Sequence, residues 1–345
     1  MVGVRFSFPV TVLACALGVF SVNPAVGQSL DLTVKNVGLS FGDSERIIGI
    51  RLNYRDRAMR RIDGINATIW DAYDPALGTV NGIALGLPVT GSESINGLAI
   101  GILGAGAEDD INGIGVGLLG VGSGRSLNGI MIGGLGAGAG ESINGIALGL
   151  LGAGAGASVR GIMIGGLGAG AGEDATGIMI GGLGAGAGGN MTGIALGILG
   201  AGTGNNFSGL AIGGIGVGAG NNVNGLIIGG LAAGAGGTVR GAAIAILAAG
   251  APEIRGLVLG GLASGAQNVE GAAIALGYMK IETDGELRGL GIAAFNHIKG
   301  RQNGLTIGIF NYAKSLKGLQ IGLLNFAGNN KGIRRWLPIL NWNFD

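Results

Sequence analysis

The chain has 345 residues, of which 80 are glycine, 6 are proline and 1 is cysteine. So much glycine argues against a helical protein, since each glycine inside a helix costs about 1 kcal/mol relative to alanine. Collagen is excluded because the glycines do not recur at every third residue. A hydrophobic fraction of 48% against 12% charged residues argues against disorder, and a net charge of +1 predicts no nucleic-acid partner.

Residues 1–27 have the composition of a signal peptide. Arg5 supplies a positive charge, an apolar run follows, and the small residues at 25–27 fit cleavage after Gly27. The single cysteine, Cys15, lies in this segment, so the exported chain is expected to lack cysteine. A second interpretation stays open. Val12, Leu13 and Ala14 before Cys15 form the pattern of a bacterial lipobox, which would make Cys15 a lipidation site.

Residues 28–80 carry more charge than the rest and contain short runs of alternating polar and apolar residues at 30–34, 47–54 and 65–70. Such alternation predicts strands, and we expect this region to form an N-terminal β cap.

Residues 81–270 repeat a unit built on one anchor glycine, with a step of 16 residues from Gly97 to Gly241 that then varies between 14 and 18. A fixed period predicts a repeat architecture. The anchors are Gly82, Gly97, Gly113, Gly129, Gly145, Gly161, Gly177, Gly193, Gly209, Gly225, Gly241, Gly256, Gly271, Gly289, Gly304, Gly318 and Gly332. Those from Gly97 to Gly241 are expected to be structural turns.

Each unit alternates with the period of a strand. Counting the anchor as zero, large apolar residues stand at +1, +3 and +5, as in Ile146, Leu148 and Leu150. This pattern predicts a strand with these side chains toward the core and the small residues at 0, +2 and +4 outside. The alternation slips one residue at Leu151, which indicates a corner.

The C-terminal units indicate what the corner is. Asn311 and Asn325 stand where the array has Gly152, and asparagine and glycine both tolerate positive φ. We therefore predict tight turns at Asn311 and Asn325. Two short strands and two turns per unit predict an all-β solenoid of about 17 coils, roughly 80 Å long.

A transmembrane β-barrel is the alternative fold, with one strand per unit and with Trp342 and Phe344 near the C-terminus as in outer-membrane proteins. The array has neither a polar lumen face nor aromatic girdles, which favours the solenoid.

Residues 271–345 form a divergent C-terminal region, with an inserted hairpin or loop expected at 278–287. The runs Gly-Leu-Thr-Ile-Gly-Ile-Phe-Asn311 and Gly-Leu-Gln-Ile-Gly-Leu-Leu-Asn325, followed by Trp336-Leu-Pro-Ile-Leu-Asn341, resemble bacterial exported surface repeat proteins. The resemblance implies an exported, envelope-associated protein and implies no activity. The Gly/Ala array departs from that pattern by using glycine for asparagine and 16 residues for 14.

Few residues could carry chemistry. Ser40 lies in a Gly-x-Ser-x-Gly motif, but no helix pattern follows it and His297 is the only histidine. The acidic runs at 108–110 and 173–174 lack the repetition that calcium-binding repeats need. We expect no catalytic, cofactor-binding or metal-binding residues and no cofactor.

The expected function is therefore that of a non-enzymatic repeat protein in the bacterial cell envelope, with a structural, adhesive or interaction role. Self-association through Gly/Ala faces and contact with the envelope or membrane are the expected partnerships. Two alternatives remain open. One is an outer-membrane barrel acting as a pore or envelope protein, and the other is a small-ligand binder or enzyme with its site at 28–80 or 278–300.

Overall fold

The computed structural model describes residues 29–70 and 77–344, which form 29 strands and one short 3-10 helix, Gly332–Arg335. The described part of the chain contains no helix with the length and hydropathy to span a bilayer. The strands are β1 (Ser29–Val34), β2 (Val37–Gly42), β3 (Arg46–Arg55), β4 (Arg61–Trp70), β5 (Thr79–Gly86), β6 (Val89–Gly101), β7 (Gly104–Gly117), β8 (Gly120–Ser123), β9 (Ser126–Gly133), β10 (Gly136–Ala139), β11 (Ser142–Gly149), β12 (Gly152–Ala155), β13 (Ser158–Gly165), β14 (Gly168–Ala171), β15 (Ala175–Gly181), β16 (Gly184–Ala187), β17 (Met191–Gly197), β18 (Gly200–Thr203), β19 (Phe207–Gly213), β20 (Gly216–Ala219), β21 (Val223–Gly229), β22 (Ala232–Ala235), β23 (Thr238–Ala245), β24 (Ala248–Gly250), β25 (Glu253–Gly260), β26 (Ala263–Ala275), β27 (Tyr278–Ile292), β28 (Phe295–Ala327) and β29 (Trp336–Asn343).

Successive units stack in parallel and in register. β11 lies between β9 and β13, with Gly145 opposite Gly129 and Gly161, and β12 lies in the same way between β10 and β14. Each coil thus contains one longer strand, one shorter strand and two turns. The molecule is a β-solenoid of about 16 turns, as the period predicts, and not a barrel.

The stack begins before the array. Gly38, Gly49 and Gly64 align with Gly82 in one column, so most of the expected N-terminal cap consists of coils. The capping elements are antiparallel. β1 covers β2 at one end and β29 covers β28 at the other. These strands occupy the open edges, which would otherwise pair with further chains.

The core contains the small side chains of each coil, the reverse of the sequence-based expectation. In the coil of Gly145 the buried residues are Ile143, Ala147, Ala153 and Ala155, whereas Leu150 and Leu151 are 73% and 50% exposed. The prediction that +1, +3 and +5 face the core is therefore wrong. Close approach of the two strands explains this arrangement. At Gly149, the inward +4 residue, a Cβ would lie 2.1 Å from the carbonyl oxygen of Gly152.

The anchor glycines from Gly82 to Gly318 lie inside strands, not at the turns between them, and Gly332 begins the 3-10 helix. Gly145 is the fourth residue of β11 and has φ +132°, so the strand bends there without ending.

The predicted tight turns at Asn311 and Asn325 are wrong. Both residues lie within β28, both are buried, and neither has positive φ. Asn311 stacks on Asn296, which stands opposite Met279, and this inward column continues the one that contains Ala153. The shorter C-terminal coils shift the sequence by one position, so Asn311 corresponds to Ala153 and not to Gly152.

The expected insertion at 278–287 is a bulge in a continuous strand. β27 pairs with β28 on both sides of residues 282–285, where the register shifts and Asp284 has φ +63°. The chain therefore keeps its coil through this region.

Candidate functional site

The most conspicuous surface runs along the turn between the longer and the shorter strand of each coil. We call it the leucine edge, and it consists of positions +5 and +6 of the coils from Ile102 to Leu276. Position +6 carries an aliphatic residue in eleven successive coils, and all are between 37% and 59% exposed. They are Leu103, Leu119, Leu135, Leu151, Leu167, Leu183, Leu199, Ile215, Leu231, Leu247 and Leu262.

The +1 and +3 columns widen this apolar surface. Ile114 in β7, Ile130 and Ile132 in β9 and Ile164 in β13 are exposed examples, and most of the equivalent residues in other coils are half-buried. Exposed apolar patches of this extent are rare on monomeric soluble proteins and mark surfaces that bind a protein or a lipid.

Polar ladders occupy other parts of the coil. At position −1, from Asn81 to Asn144, the amide nitrogen of each asparagine donates to the amide oxygen of the preceding one. Asn128 donates to Asn112 at 2.7 Å and Asn144 to Asn128 at 2.8 Å. A second ladder lies in the turn before the longer strand, where Asn206 donates to Asn190 at 2.9 Å. The rod is therefore amphipathic in cross-section, with hydrogen-bonded amides in these columns and aliphatic side chains at the leucine edge.

The outer face of the short strands is nearly bare backbone. The alanines of Gly-Ala-Gly-Ala point into the core, so only the glycines face outward, as in Gly152 and Gly154. A Cβ on either glycine would lie 3.5 Å from the nearest carbonyl oxygen of the next coil, an ordinary contact. The fold does not require glycine here, and a glycine surface permits close approach of another backbone. Self-association through this face remains a proposal. The surface that would take part consists of glycine alone and not of the mixed glycine and alanine expected from the sequence.

Ser40 does not form a nucleophile elbow. It is fully buried in β2, and its hydroxyl lies 2.5 Å from that of Ser44, which donates to Asp31. His297 lies in β28, at the opposite end of the solenoid. The structure therefore does not bring the serine and the histidine together, and Ser40 has no base to activate it.

A buried ionic cluster closes the N-terminal part of the core. Arg51 occupies the +2 column that alanine and methionine fill further along, and it is fully buried. Its guanidinium pairs with Asp43 at 2.5 Å and with Asp56, and it donates to the amide oxygen of Asn66 at 2.8 Å. Sequence reasoning missed this cluster, because the carboxylates come from loops that the periodicity does not predict. With every member enclosed, the cluster is structural.

The protein itself supplies partners for three carboxylates of the acidic turns, Asp109, Asp110 and Asp174. Arg125 pairs with Asp109 at 3.3 Å and with Asp110 at 2.5 Å. The guanidinium holds the pKa of Asp110 below its usual value, chiefly through this hydrogen bond. Asp174 accepts from the backbone and side chain of Asn190. Among the described residues no three His, Cys, Asp or Glu side chains form a group that could hold a metal ion.

An aromatic stack covers the C-terminal coils on the face that glycine occupies in the array. Tyr278 aligns with Phe295, and Phe295 stacks on Phe310 with 4.9 Å between ring centroids. The Nδ1 atom of His297 lies 2.8 Å from the Tyr278 hydroxyl. Burial lowers the pKa of His297, with smaller contributions from Lys299 and Lys280. The ring contacts account for His297 without a ligand, so this end region offers no convergent chemistry.

The expectations for the signal peptide and for lipidation of Cys15 concern residues outside the described part of the chain. No protein-family model, no curated protein and no solved structure matches this chain. The function must therefore be inferred from the residues of the chain. Among these, the exposed aliphatic side chains of the leucine edge are not explained by contacts within the chain.

Proposed function

We propose that this chain is a non-enzymatic, exported repeat protein of the bacterial cell envelope, with a structural or interaction role that it performs through the leucine edge. One observation carries the proposal. Eleven consecutive coils place an aliphatic side chain outward at the same position, where each remains 37% to 59% exposed. Leaving such a column in water is unfavourable by roughly 25 cal/mol per Å² of apolar surface. Selection for a contact that covers it explains its persistence over eleven coils.

Two further features support the same role. The resemblance of the C-terminal units to exported surface repeat proteins agrees with an envelope location, as does the signal-like segment at 1–27. The groups that could perform chemistry are enclosed or paired within the chain, as in the Arg51 cluster and the Arg125 pair. A rod of this kind serves as a scaffold or a contact surface.

Cell fractionation tests the location. The wild type and a Cys15→Ser variant are expressed, and the envelope is washed with alkaline carbonate. Recovery of both in the envelope fraction is the expected result, with release by carbonate if the contact is peripheral. A wild-type chain that stays in the cytosol would contradict export.

Substitution of the leucine edge tests the surface. Leu151→Gln, Leu167→Gln and Leu183→Gln together keep side-chain length and remove the apolar contact, and we expect loss of envelope association. The matched control is Thr176→Asn, Thr192→Asn and Ser208→Asn, which changes the polar −1 column. Circular dichroism of both purified variants checks that the coils persist. Unchanged envelope association of the folded glutamine variant would show that the leucine edge is not the contact surface.

A further inference from the structure

The leucine edge carries a second pattern at position +5. There, projecting aliphatic residues are interspersed with glycine, while +6 stays aliphatic from Leu103 to Leu262. The projecting residues include Leu118, Leu150, Ile198 and Ile246, and Leu150 and Ile198 are 73% and 71% exposed. Glycine fills the coils between them, at Gly134, Gly166, Gly182, Gly214, Gly230 and Gly261. The edge therefore presents knobs and gaps.

The gaps are large enough to receive a side chain. Leu150, Ile198 and Ile246 are three coils apart, or roughly 14 Å, and two glycine coils separate each pair. Around Ile246 the knobs and gaps enclose an apolar groove of about 580 Å³, lined by Gly230, Gly261, Leu262 and Leu276 among others. Almost all of the groove's exposed lining is hydrocarbon, so an aliphatic side chain fits it and a charged one does not.

The order of knobs and gaps is complementary to itself. When a second copy is turned antiparallel about a twofold axis midway between the coils of Gly182 and Ile198, the +5 columns face each other. Ile198 then opposes the partner's Gly182, and Leu150 opposes Gly230. By the same symmetry Ile246 opposes Gly134 and Leu118 opposes Gly261, so four of the six knobs meet glycine and each contact occurs twice. The remaining two knobs, Ile102 and Leu276, oppose each other at the two ends of the edge.

A parallel pair lacks this fit. With the twofold axis along the rods, the +5 column faces the partner's +6 column, which is aliphatic in every coil from Leu103 to Leu262. Five of the six +5 knobs, from Ile102 to Ile246, would then face an aliphatic +6 residue of the partner. In the antiparallel pair the two +6 columns instead face each other and pack as a leucine seam.

We propose that the leucine edge binds a second copy of this chain in that antiparallel register, an inference that rests on the interaction role proposed above. Eleven coils spaced by about 4.8 Å give the edge a length of roughly 50 Å, over which both the +5 and the +6 columns can contact the second copy. None of the six charged residues between Ile111 and Gly250 lies at +5 or +6, so no charge is buried.

Thiol crosslinking of the full chain tests the register. In a Cys15→Ser background an introduced cysteine is the only thiol. At Ile198→Cys the two copies of the thiol lie about one coil, or 5 Å, apart along the rod, and a short bismaleimide is expected to link most of the protein into dimers. At Leu118→Cys they lie about nine coils, or 43 Å, apart, and no self-linked dimer is expected. A mixture of Leu118→Cys and Leu262→Cys is expected to give the mixed dimer.

A charge variant tests the interface without a crosslinker. Ile198→Arg places two guanidinium groups near the twofold axis, where they repel each other. We expect the dissociation constant of the dimer to increase at least about tenfold. Thr192→Arg, in the exposed −1 column, is the matched control and is expected to dimerise like the wild type. Light scattering gives the mass of each, and circular dichroism confirms that the coils remain.

Three results would overturn the proposal. Self-linking of Leu118→Cys would indicate a parallel pair. A monomeric wild type that does not bind neutral phosphatidylcholine vesicles would leave the edge without a second copy. A monomeric wild type that binds those vesicles through the edge would make lipid the occupant. In each case, envelope recovery of the same strain decides separately whether the proposed function still holds.

Discussion

Gly145 faces the carbonyl oxygen of Gly129 so closely that a Cβ added to Gly145 would lie 2.0 Å from that oxygen. Its φ of +132° is also one that residues with side chains rarely adopt. We expect Gly145→Ala to lower the free energy of unfolding by about 3 kcal/mol, because both strain and a backbone clash must be relieved. Urea denaturation followed by circular dichroism measures the loss.

Gly154→Ala is the matched control. Gly154 faces outward, and a Cβ there would lie 3.5 Å from the carbonyl oxygen of Gly170. Alanine should leave the free energy of unfolding unchanged or raise it by up to about 1 kcal/mol, since it reduces the entropy of the unfolded chain. Equal losses for the two variants would contradict the assignment of inner and outer glycines.

The buried asparagines of the C-terminal coils form a ladder whose members depend on one another. Asn311 accepts from Asn296 and donates to Asn325, each at 2.7 Å. Asn311→Ala removes the side-chain donor to the buried amide oxygen of Asn325 and to the carbonyl oxygen of Ile321, and we expect a loss of about 2 kcal/mol in the free energy of unfolding. Asn128→Ala, in the more exposed ladder, should cost less than half as much because water replaces the lost bonds. A similar cost for both would refute a special role for the buried ladder.

Arg51 is expected to be the most sensitive polar residue. Arg51→Met keeps an apolar stem but leaves Asp43 and Asp56 without their buried cation. The expected loss is about 3–5 kcal/mol of unfolding free energy, measured by thermal and urea denaturation. Arg125→Met removes an exposed pairing with Asp109 and Asp110 and should change stability little. A folded Arg51→Met protein as stable as Arg125→Met would show that the cluster contributes nothing.

His297 should make stability depend on pH in a narrow window. Its pKa is lowered in the folded chain, mainly by burial, so the unfolded chain binds the proton more readily. Stability is therefore complete above the unfolded pKa near 6.5 and falls as the pH decreases toward the folded value. The urea midpoint of the wild type should decrease between pH 7.5 and pH 5.5.

The chain has no other histidine, so His297→Phe should remove most of this dependence while keeping the ring contacts with Phe295 and Tyr312. A variant whose midpoint decreases as much as that of the wild type would assign the effect to other groups. Carboxylates such as Asp110, whose pKa is lowered, lose their contribution only at more acidic pH.

The coil could be predicted from the sequence because glycine recurs at the spacing at which parallel neighbours stack. Gly129, Gly145 and Gly161 align as the period requires. The two faces could not be assigned in this way, because both are apolar and hydrophobicity alone places leucine inside. The deciding quantity is the space between strands, which excludes a Cβ at Gly149 and which no single unit of sequence reveals.

The same limit explains the error at Asn311. The shorter C-terminal coils move the residues after the corner to a new column, and alignment on the anchor glycine hides that shift. The glycines at +5 can be recognised in the sequence. That they form gaps between projecting side chains such as Leu150 and Ile198 follows only from the outward orientation of this turn. Hydrophobic periodicity alone therefore places position +5 in the core.

The uniform stacking of coils from Gly97 to Gly241 also has an evolutionary consequence. Each coil contacts only its two neighbours, and coils of equal length can be inserted or removed without changing the register of the rest. The gene can therefore gain or lose a sixteen-residue unit while both antiparallel caps keep their own contacts. Rod length can thus change in increments of about 4.8 Å through slippage of repeated DNA. Natural variants of this chain should accordingly differ in whole numbers of coils, with their two ends preserved.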